Sequence, residues 1–355
     1  MSRTEVPKLM DRPIVIVGGG VAGLTVARLL AGNGIKSIVV ERENNLGGHV
    51  GQWACMATDT CLRCHCCSVE EMVNYALTSD MIEVRTGWEL ASFSPSAGIA
   101  KEALLKQTGT AREEIEQAEA LVITTGFQPY NPAEKILLGH GRLDQVFTLA
   151  EVDSLLRTDK LSLFTGDRDG LKVAFFQCVG SRDASSGGNY CSQYCCQAAL
   201  RMALKLIHED PRIAVTLFYI DLQLAGKYGG ALLKAAQDKG VRLLQGVPGE
   251  IRNSNDSLEV IIESQGQNLH ETFDRAILSI GQRPNALESF VEQLGLSADD
   301  FGFIQSKDTL DSSRTSVADV YVAGTCCGPK NIENTVSHAG QTAEAIMADL
   351  RRKGI

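Results

Sequence analysis

The chain alternates short apolar runs with glycine-rich turns and amphipathic stretches. Residues 13–17 are apolar and predict a buried parallel strand. Glycine-rich residues 18–23 follow directly, and residues 24–30 then show an apolar helical pattern. A second strand is predicted at residues 37–40 and ends at Glu41. This order of strand, turn, helix and strand is typical of the first unit of a doubly wound sheet.

The middle of the chain repeats this α/β pattern. The strands predicted there lie at residues 171–176, 213–219, 241–245 and 275–280. The helices predicted there lie at about 190–208 and 229–239, and a hairpin is predicted at 249–253 and 257–263. We therefore expect an α/β fold with two dinucleotide-binding-type, Rossmann-like domains.

Secondary structure is also predicted in two further segments. A strand at residues 320–323 is followed by a long C-terminal helix at about 332–350. Residues 93–119 are polar and predict partly helical structure, with breaks at Gly98 and Gly109.

Composition and charge narrow the class of protein. Of the 355 residues, 44% are hydrophobic and 22% are charged, which excludes a disordered or collagen-like chain. The net charge of −9 and the lack of a Lys/Arg-rich run argue against nucleic acid as a partner. No apolar run is long enough to predict membrane insertion, and the charged first residues do not predict a secretory signal. We expect a cytoplasmic protein.

The first glycine-rich turn has the spacing of a dinucleotide-binding motif, Gly18-x-Gly20-x-x-Gly23, with Ala22 inside it. The glycines permit a tight turn and a close approach of the backbone to a pyrophosphate. The N-terminus of the following helix favours an anion at the same place. The alternative interpretation is a helix packed closely on a strand without a ligand.

Residues outside the turn predict which dinucleotide binds. Glu41 is expected to accept hydrogen bonds from both ribose hydroxyls, and Arg42 is expected to lie on or beside the adenine. A helix N-terminus near the pyrimidine ring of a flavin stabilises its anionic reduced form. The residues that favour FAD over NAD are Gly47, Gly48, Thr125, Gly126, Gly324, Thr325, Asn334 and Thr335.

Eleven cysteines occur in three groups and are not dispersed as in a disulfide scaffold. In a reducing compartment, such grouping indicates metal ligands or redox thiols. The strand at 171–176 leads to Cys178 and not to a second glycine motif, which argues against NAD(P)H in this domain. Cys191, Cys195 and Cys196 follow with the spacing Cys-x12-Cys-x3-Cys-Cys.

These four cysteines are predicted to converge on one site. If residues 190–208 are helical, Cys191 and Cys195 lie on one face of the helix and Cys178 comes from the facing loop. Ligation by thiolates alone selects an iron–sulfur cluster or structural zinc. Buried free thiols are the remaining alternative.

The glycine and cysteine motifs together resemble the A subunit of heterodisulfide reductase in a short form, a flavoprotein family with a thioredoxin reductase-like fold. The resemblance covers nearly the whole chain, and the spacing from Cys178 to Cys196 matches the cluster-binding pattern of that family. It implies a discontinuous FAD-binding domain, residues 1–126 and 286–355, and an inserted second domain, residues 127–285, that carries the iron–sulfur site. One departure is Gly324-Thr325, where disulfide-reductase flavoproteins commonly have Gly-Asp.

The resemblance also implies a function. The chain would pass electrons between FAD and a [4Fe-4S] cluster in sulfur metabolism, with other heterodisulfide reductase-like subunits and a second copy of itself as partners. No catalytic residue is assigned. One alternative is a self-sufficient NAD(P)H-dependent disulfide reductase of the thioredoxin reductase type, and another is a zinc-stabilised FAD-binding protein.

The other cysteines have less specific patterns. Cys61-x-x-Cys64 is interpreted either as a thiol pair or as two ligands of a second cluster. The interpretation that we favour for Cys55, Cys61, Cys64, Cys66 and Cys67 is free thiols or ligands completed only by a partner. Cys326 and Cys327 are expected to be small buried side chains in a loop. His338 is expected at the surface or as a capping residue.

Overall fold

The computed structural model describes residues 12–94, 101–167, 170–264, 266–285 and 288–355. The predicted first domain starts within residues 1–11 and resumes at residues 286–287, and both of these points lie outside the described residues.

Strands and helices alternate along much of the chain. The strands are β1 Ile14–Val17, β2 Ser37–Glu41, β3 Ile82–Thr86, β4 Trp88–Ser94, β5 Lys101–Gln107, β6 Glu113–Ala118, β7 Ala120–Ile123, β8 Phe127–Pro129, β9 Val146–Thr148, β10 Lys172–Val179, β11 Ala214–Tyr219, β12 Arg242–Gln245, β13 Val247–Ser254, β14 Ser257–Ser264, β15 Gln267–Phe273, β16 Arg275–Ile280, β17 Gln282–Pro284 and β18 Val320–Val322. The helices are α1 Val21–Gly32, α2 Cys66–Thr78, α3 Leu149–Arg157, α4 Ser162–Thr165, α5 Cys195–Glu209, α6 Gly229–Asp238, α7 Glu288–Gln293 and α8 Ile332–Arg352. No described helix combines the length and the hydropathy needed to cross a membrane.

The chain divides into two compact units. The first consists of Met1–Gly51, Cys67–Gln128 and Pro284–Ile355, and the second consists of Gln52–Cys66 and Pro129–Arg283. The segment 52–66, which the sequence analysis included in the first domain, therefore groups with the second unit. Ala54, Met56 and Cys64 lie in the same apolar cluster as Phe175 and Leu200, which explains this grouping.

The first unit is built on a parallel sheet with the strand order β18-β7-β1-β2-β3. Strand β1 is central and fully buried, and its side chains alternate between two apolar clusters. Ile14 and Ile16 pack in the cluster that contains α1 and α8, whereas Val15 and Val17 pack in the cluster that contains β4 and β5. The carboxyl ends of β1, β2, β7 and β18 therefore meet along one edge of the sheet.

Strands β4, β5 and β6 form an antiparallel three-stranded sheet, so the prediction of partly helical structure at 93–119 is wrong for the residues described there. The predicted break at Gly98 lies outside the described residues. Strand β5 buries Ala103 and Leu105 at alternate positions. Its neighbour β6 places Glu114 and Glu116 within 3.1 and 2.6 Å of the Arg85 guanidinium. Buried apolar side chains thus alternate with more exposed ones along this segment, as in a strand, although many of its residues are charged.

The second unit repeats the architecture with a parallel sheet of order β12-β11-β10-β16-β9. Its central strand β10 is buried along most of its length. The predicted hairpin is confirmed as β13 and β14, and β15 adds a third antiparallel strand that the sequence analysis missed. The prediction of an α/β fold with two parallel-sheet units is confirmed.

Candidate cofactor sites

At two positions of the turn after β1, the backbone leaves no room for any side chain, so glycine is required there. Gly18 has φ +108°, and a Cβ added there would lie 2.4 Å from the Thr124 carbonyl oxygen. A Cβ on Gly23 would lie 2.0 Å from the Gly18 carbonyl oxygen. Both distances are far below a van der Waals contact, so the close packing of strand, turn and α1 requires these glycines.

The N-terminus of α1 is available to an anion. Gly20 is the N-cap, and no side-chain capping hydrogen bond is present there within the described part of the chain. The first turn of α1 contains no acidic residue. Its free N–H groups and the positive end of the helix dipole therefore suit a phosphate.

Glu41 stabilises the turn with both of its carboxylate oxygens. Its Oε2 accepts a hydrogen bond from the Gly19 N–H at 2.7 Å, and its Oε1 accepts one from the Glu43 N–H at 2.9 Å. Glu41 is buried, whereas Arg42 is exposed with its Nε 3.5 Å from Glu43. The carboxylate keeps further lone pairs, so ribose binding by Glu41 remains compatible with these bonds.

A second turn packs against the first. Gly47 and Gly48 both have positive φ values, +101° and +57°. The Gly47 N–H donates to the Gly19 carbonyl at 2.8 Å, and a Cβ on Gly48 would lie 3.2 Å from the Gly20 Cα. We call Gly18, Gly20, Gly23, Gly47 and Gly48 the dinucleotide cradle.

The other residues predicted to contact FAD lie after β7, after β18 and at the start of α8. A Cβ on Gly324 would lie 2.7 Å from the Ala22 Cβ and 3.5 Å from the Thr335 Cγ2. A Cβ on Gly126 would lie 3.9 Å from the Thr325 hydroxyl oxygen. The fold therefore brings these five residues into one region beside α1.

One buried polar atom in this region is suited to hydrogen-bond with a ligand. The Thr125 hydroxyl is buried and has no hydrogen-bond partner among the residues that the structure describes. An unsatisfied buried hydroxyl costs free energy unless a ligand or water supplies a partner. This atom, the glycines and the uncapped α1 N-terminus fit a bound dinucleotide.

The start of α8 differs in part from expectation. Thr335 is buried, but Asn334 is exposed, and its N–H donates to the Asn331 side chain at 2.8 Å, which caps the helix.

His338 is buried, so its predicted surface position is wrong. Its Nδ1 accepts from the Gly324 N–H at 3.2 Å, and its Nε2 donates to the Ser312 carbonyl at 2.8 Å. Burial lowers the pKa of His338, so the ring is neutral and positions the Gly324 turn.

In the second unit, Cys178, Cys191, Cys195 and Cys196 line one cavity. Cys178 lies near the end of β10, where the pairing with β16 is irregular between Phe176 and Val179. Its φ of +62° is unusual for a residue with a side chain. A bulge of this kind redirects a side chain away from its regular position in the strand.

The helix after Cys178 begins later than predicted. It starts at Cys195, so the prediction that Cys191 and Cys195 share one helical face is wrong. The preceding segment is fixed by its own hydrogen bonds: the Ser192 hydroxyl lies 2.6 Å from that of Ser181 and accepts from the Gln282 N–H at 2.9 Å. The Tyr194 hydroxyl donates to the Ile280 carbonyl at 2.9 Å. This fixed loop, and not a helical turn, brings Cys191 into the cavity.

The four sulfur atoms of this cavity are not grouped as closely as the ligands of a single metal ion. Within the described structure, no three of them lie within 4.8 Å of one another. A tetrahedral zinc ion with Zn–S bonds of about 2.3 Å holds its sulfur ligands about 3.8 Å apart. A cluster of several irons is larger and accommodates wider spacing.

Burial keeps three of these thiols, those of Cys178, Cys195 and Cys196, protonated until a cation is bound. It raises the pKa of Cys178 to about 12, with a contribution from the neighbouring Cys196 thiol. It also raises the pKa of Cys195 and of Cys196 above the usual value. Metal binding at this site must therefore displace protons, as coordination to a metal does for thiols.

An ion pair borders the same cavity. Arg182 is hydrogen-bonded to Asp221, which also accepts from the Gln223 side chain at 3.1 Å. Hydrogen bonds from Gln223 and Arg182 lower the pKa of Asp221, so it is ionised at neutral pH. The Arg182 guanidinium favours a thiolate at Cys178, whereas the Asp221 carboxylate disfavours it.

Three of the remaining cysteines form a group that the sequence analysis did not single out. The thiols of Cys55, Cys64 and Cys66 lie together, and Cys61 is not part of this group. Cys326 is buried and donates to the Ala323 carbonyl at 3.2 Å, with the Cys327 sulfur 3.6 Å away. The expectation of small buried side chains therefore agrees with the surroundings of Cys326.

The chain belongs to the pyridine nucleotide-disulphide oxidoreductase family, which it matches over residues 12–343. It is thus a member of an oxidoreductase family, and the thioredoxin reductase-like architecture is confirmed. A thioredoxin reductase of T. acidophilum has a TM-score of 0.63 at 16% identity, over 95% of this chain and 98% of that one. An NAD-dependent persulfide reductase of A. fulgidus has a TM-score of 0.60 at 18% identity, over 94% of this chain and 59% of that one.

More specific relatives are the A subunits of heterodisulfide reductases, which confirms the resemblance found in the sequence. The A subunit of the ferredoxin:CoB-CoM heterodisulfide reductase of Methanosarcina acetivorans is 26% identical over 93% of this chain and 55% of its own. The A subunit of the H2:CoB-CoM heterodisulfide,ferredoxin reductase of Methanothermobacter marburgensis is 26% identical over 94% of this chain and 63% of its own. The chain thus spans less than two thirds of the length of these relatives.

Proposed function

We propose that this chain is a flavoprotein electron-transfer subunit that binds FAD at the dinucleotide cradle of the first unit. In this proposal, Cys178, Cys191, Cys195 and Cys196 of the second unit bind a [4Fe-4S] cluster. The observation that carries the proposal is the convergence of these four thiols on one cavity. The wide spacing of their sulfur atoms supports a cluster over a zinc ion.

The place of the cysteines in the fold supports the same assignment. In a nucleotide-binding unit, the loop after the central strand carries the glycine motif that approaches the pyrophosphate. Here β10 ends in Cys178-Val179-Gly180-Ser181, without that motif. We infer that the cluster takes the place of a pyridine nucleotide in this unit.

Each group of residues has a distinct task in this proposal. When bound, FAD supplies two-electron chemistry and the cluster supplies one-electron exchange. The N–H groups at the start of α1 would bind the pyrophosphate, and Glu41 would accept hydrogen bonds from the ribose. The Thr125 hydroxyl, which has no partner among the described residues, would gain one. His338 holds the Gly324 turn, and the Arg182–Asp221 ion pair borders the cluster site.

The activity of the assembled protein follows from its relatives and belongs to the proposal. The relatives are named as subunits of heterodisulfide reductases. We infer that this chain acts with other subunits of that kind in sulfur metabolism, and as a homodimer.

Anaerobic purification tests the proposal. We expect about four irons, four acid-labile sulfides and one FAD per chain. A Cys195→Ala variant should lose most of the iron and sulfide while it keeps FAD. Cys67→Ala, which changes an exposed cysteine of α2, should keep all three components. Iron-free protein that is rapidly reduced by NADH would instead support a self-sufficient NAD(P)H-dependent disulfide reductase.

A further inference from the structure

Three other thiols of the second unit form a compact group. The sulfur atoms of Cys55, Cys64 and Cys66 all lie within 4.8 Å of one another. The Cys64 and Cys66 sulfur atoms are 3.3 Å apart, and the Cys64 sulfur accepts a hydrogen bond from the Met56 N–H at 3.4 Å. We call Cys55, Cys64 and Cys66 the three-thiol site.

The loop that carries the site is anchored near Cys55 by α3. The Ala54 N–H donates to the Asp153 carboxylate at 2.5 Å, and Arg157 donates to the Trp53 carbonyl at 3.2 Å. Both contacts immediately precede Cys55 in the chain. They fix the backbone from which the Cys55 side chain projects.

Helix α5 anchors the rest of the loop. Arg201 donates to the Leu62 carbonyl at 2.8 Å, and Lys205 donates to the Ala57 carbonyl at 3.2 Å. With the α3 contacts, four hydrogen bonds to backbone groups hold the loop between Trp53 and Leu62. The fold therefore holds the three sulfur atoms close together, which reduces the entropy cost of ordering them around a ligand.

Neighbouring cysteines do not belong to the group. Cys61 is exposed, and its sulfur accepts a hydrogen bond from the Arg63 N–H at 3.4 Å. Arg63 and His65, on the two sides of Cys64, both have left-handed φ values, 56° and 66°. Cys64 thus groups with Cys55 and Cys66, and Cys61 lies outside the group.

The donor set and its spacing suit one soft metal ion. Thiolates select zinc, copper(I) or iron–sulfur clusters. Sulfur ligands of zinc lie about 3.8 Å apart, which agrees with the compact spacing of this group and not with the wider four-cysteine cavity. Cys64 is buried, whereas Cys55 is exposed, so one side of the site is open to solvent.

We propose that Cys55, Cys64 and Cys66 bind one Zn²⁺ ion and leave its fourth coordination position open to a ligand from solvent. Three S–H groups lose their protons to the solvent, and three Zn–S bonds replace Zn–O bonds to water molecules of the aqueous ion. No electron is transferred in this step. Zinc sites with three protein ligands and one open position are the kind that bind and activate an exchangeable ligand.

Zinc counting on the intact anaerobic chain tests the proposal. The protein with its flavin and iron is incubated with ZnCl₂ and a competing chelator and is then desalted. We expect one zinc per chain in the wild type. Cys64→Ser and Cys55→Ser should weaken zinc retention by more than the roughly tenfold that loss of a supporting residue causes. Cys61→Ser is the matched control and should retain zinc fully.

X-ray absorption at the zinc edge gives a second readout that iron does not affect. We expect three sulfur neighbours at about 2.3 Å and one lighter neighbour. Any of three results would overturn the proposal: four sulfur neighbours around the zinc, loss of zinc from Cys61→Ser, or no zinc retained by the wild type. The exposed Cys55→Ser keeps the test decisive if Cys64→Ser does not fold.

The result is independent of the proposed electron-transfer function. Cys195→Ala should lose iron but keep zinc at the three-thiol site. A wild type that contains no iron but retains zinc through Cys55 and Cys64 would contradict the proposed function and support the zinc site. Iron that disappears from Cys64→Ser in place of zinc would contradict the zinc site.

Discussion

Gly18 and Gly23 show how much depends on the absence of a single methyl group. Their hydrogen atoms face backbone carbonyl oxygens at distances where no Cβ fits. The same backbone path leaves the N-terminus of α1 uncapped. The residues that make the turn possible therefore also make it a site for an anion.

Replacing Gly23 with Ala should remove FAD from the purified protein. The added Cβ would lie 2.0 Å from the Gly18 carbonyl oxygen and must displace the turn. We expect a loss of about 1–3 kcal/mol in the free energy of unfolding. Gly32→Ala is the control, because a Cβ there meets no atom within 4 Å. FAD content and denaturant unfolding measure both effects, and normal flavin content in Gly23→Ala would refute the assignment.

His338 should make the stability of the protein depend on pH. Burial lowers its pKa, so the unfolded chain binds the proton more readily than the folded chain. Its contribution to stability is present above about pH 6.5 and is lost as the pH falls through the lower folded pKa. His338→Gln should therefore flatten the decline in urea midpoint below about pH 6.5. The exposed His208→Gln should not, and equal slopes in wild type and His338→Gln would contradict this explanation.

At the scale of elements, the ends of β10 and α5 define the four-cysteine cavity. Strand β10 is irregular just where Cys178 occurs, and α5 begins only at Cys195. Between them, Tyr194 attaches the loop to the end of β16, and Ser192 attaches it to Gln282 at the start of β17. The positions of the cysteines thus depend on hydrogen bonds of residues that are not ligands.

Ser192→Ala should loosen this loop without removing a cysteine. It removes the hydroxyl that accepts from the buried Gln282 N–H, and loss of such a bond costs about 1–3 kcal/mol. We expect faster loss of the visible cluster absorbance in air than in the wild type. Ser185→Ala, in the same loop but exposed, should behave like the wild type. Equal lifetimes for all three proteins would show that Ser192 does not support the site.

At the scale of the whole molecule, the sequence predicted best what local patterns determine. Strands such as β1 and β10 are continuous apolar runs, and the glycine motif follows β1 directly. The grouping of residues 52–66 with the second unit was not predictable, because it depends on packing against helices distant in sequence. His338 was missed for a related reason: its burial at i+3 from Thr335 on α8 becomes informative only when that helix face is known to be covered.

The candidate site was predictable to a similar degree. The spacing of four cysteines indicated a shared site, and they do line one cavity. The predicted helical position of Cys191 was wrong. Hydrogen bonds of the Ser192 hydroxyl with Ser181 and Gln282 hold residues 190–194 in a loop before the helix. The three-thiol site was not predictable from spacing, because the path of its loop depends on hydrogen bonds to α3 and α5, which are distant in sequence.

A reductive titration that counts electrons tests the central claim most directly. If the chain holds FAD and one cluster, the anaerobic wild type should take up about three electrons per chain, two at FAD and one at the cluster. Cys195→Ala should take up about two, with the flavin content unchanged. Uptake of only two electrons by a flavin-replete wild type would contradict the account.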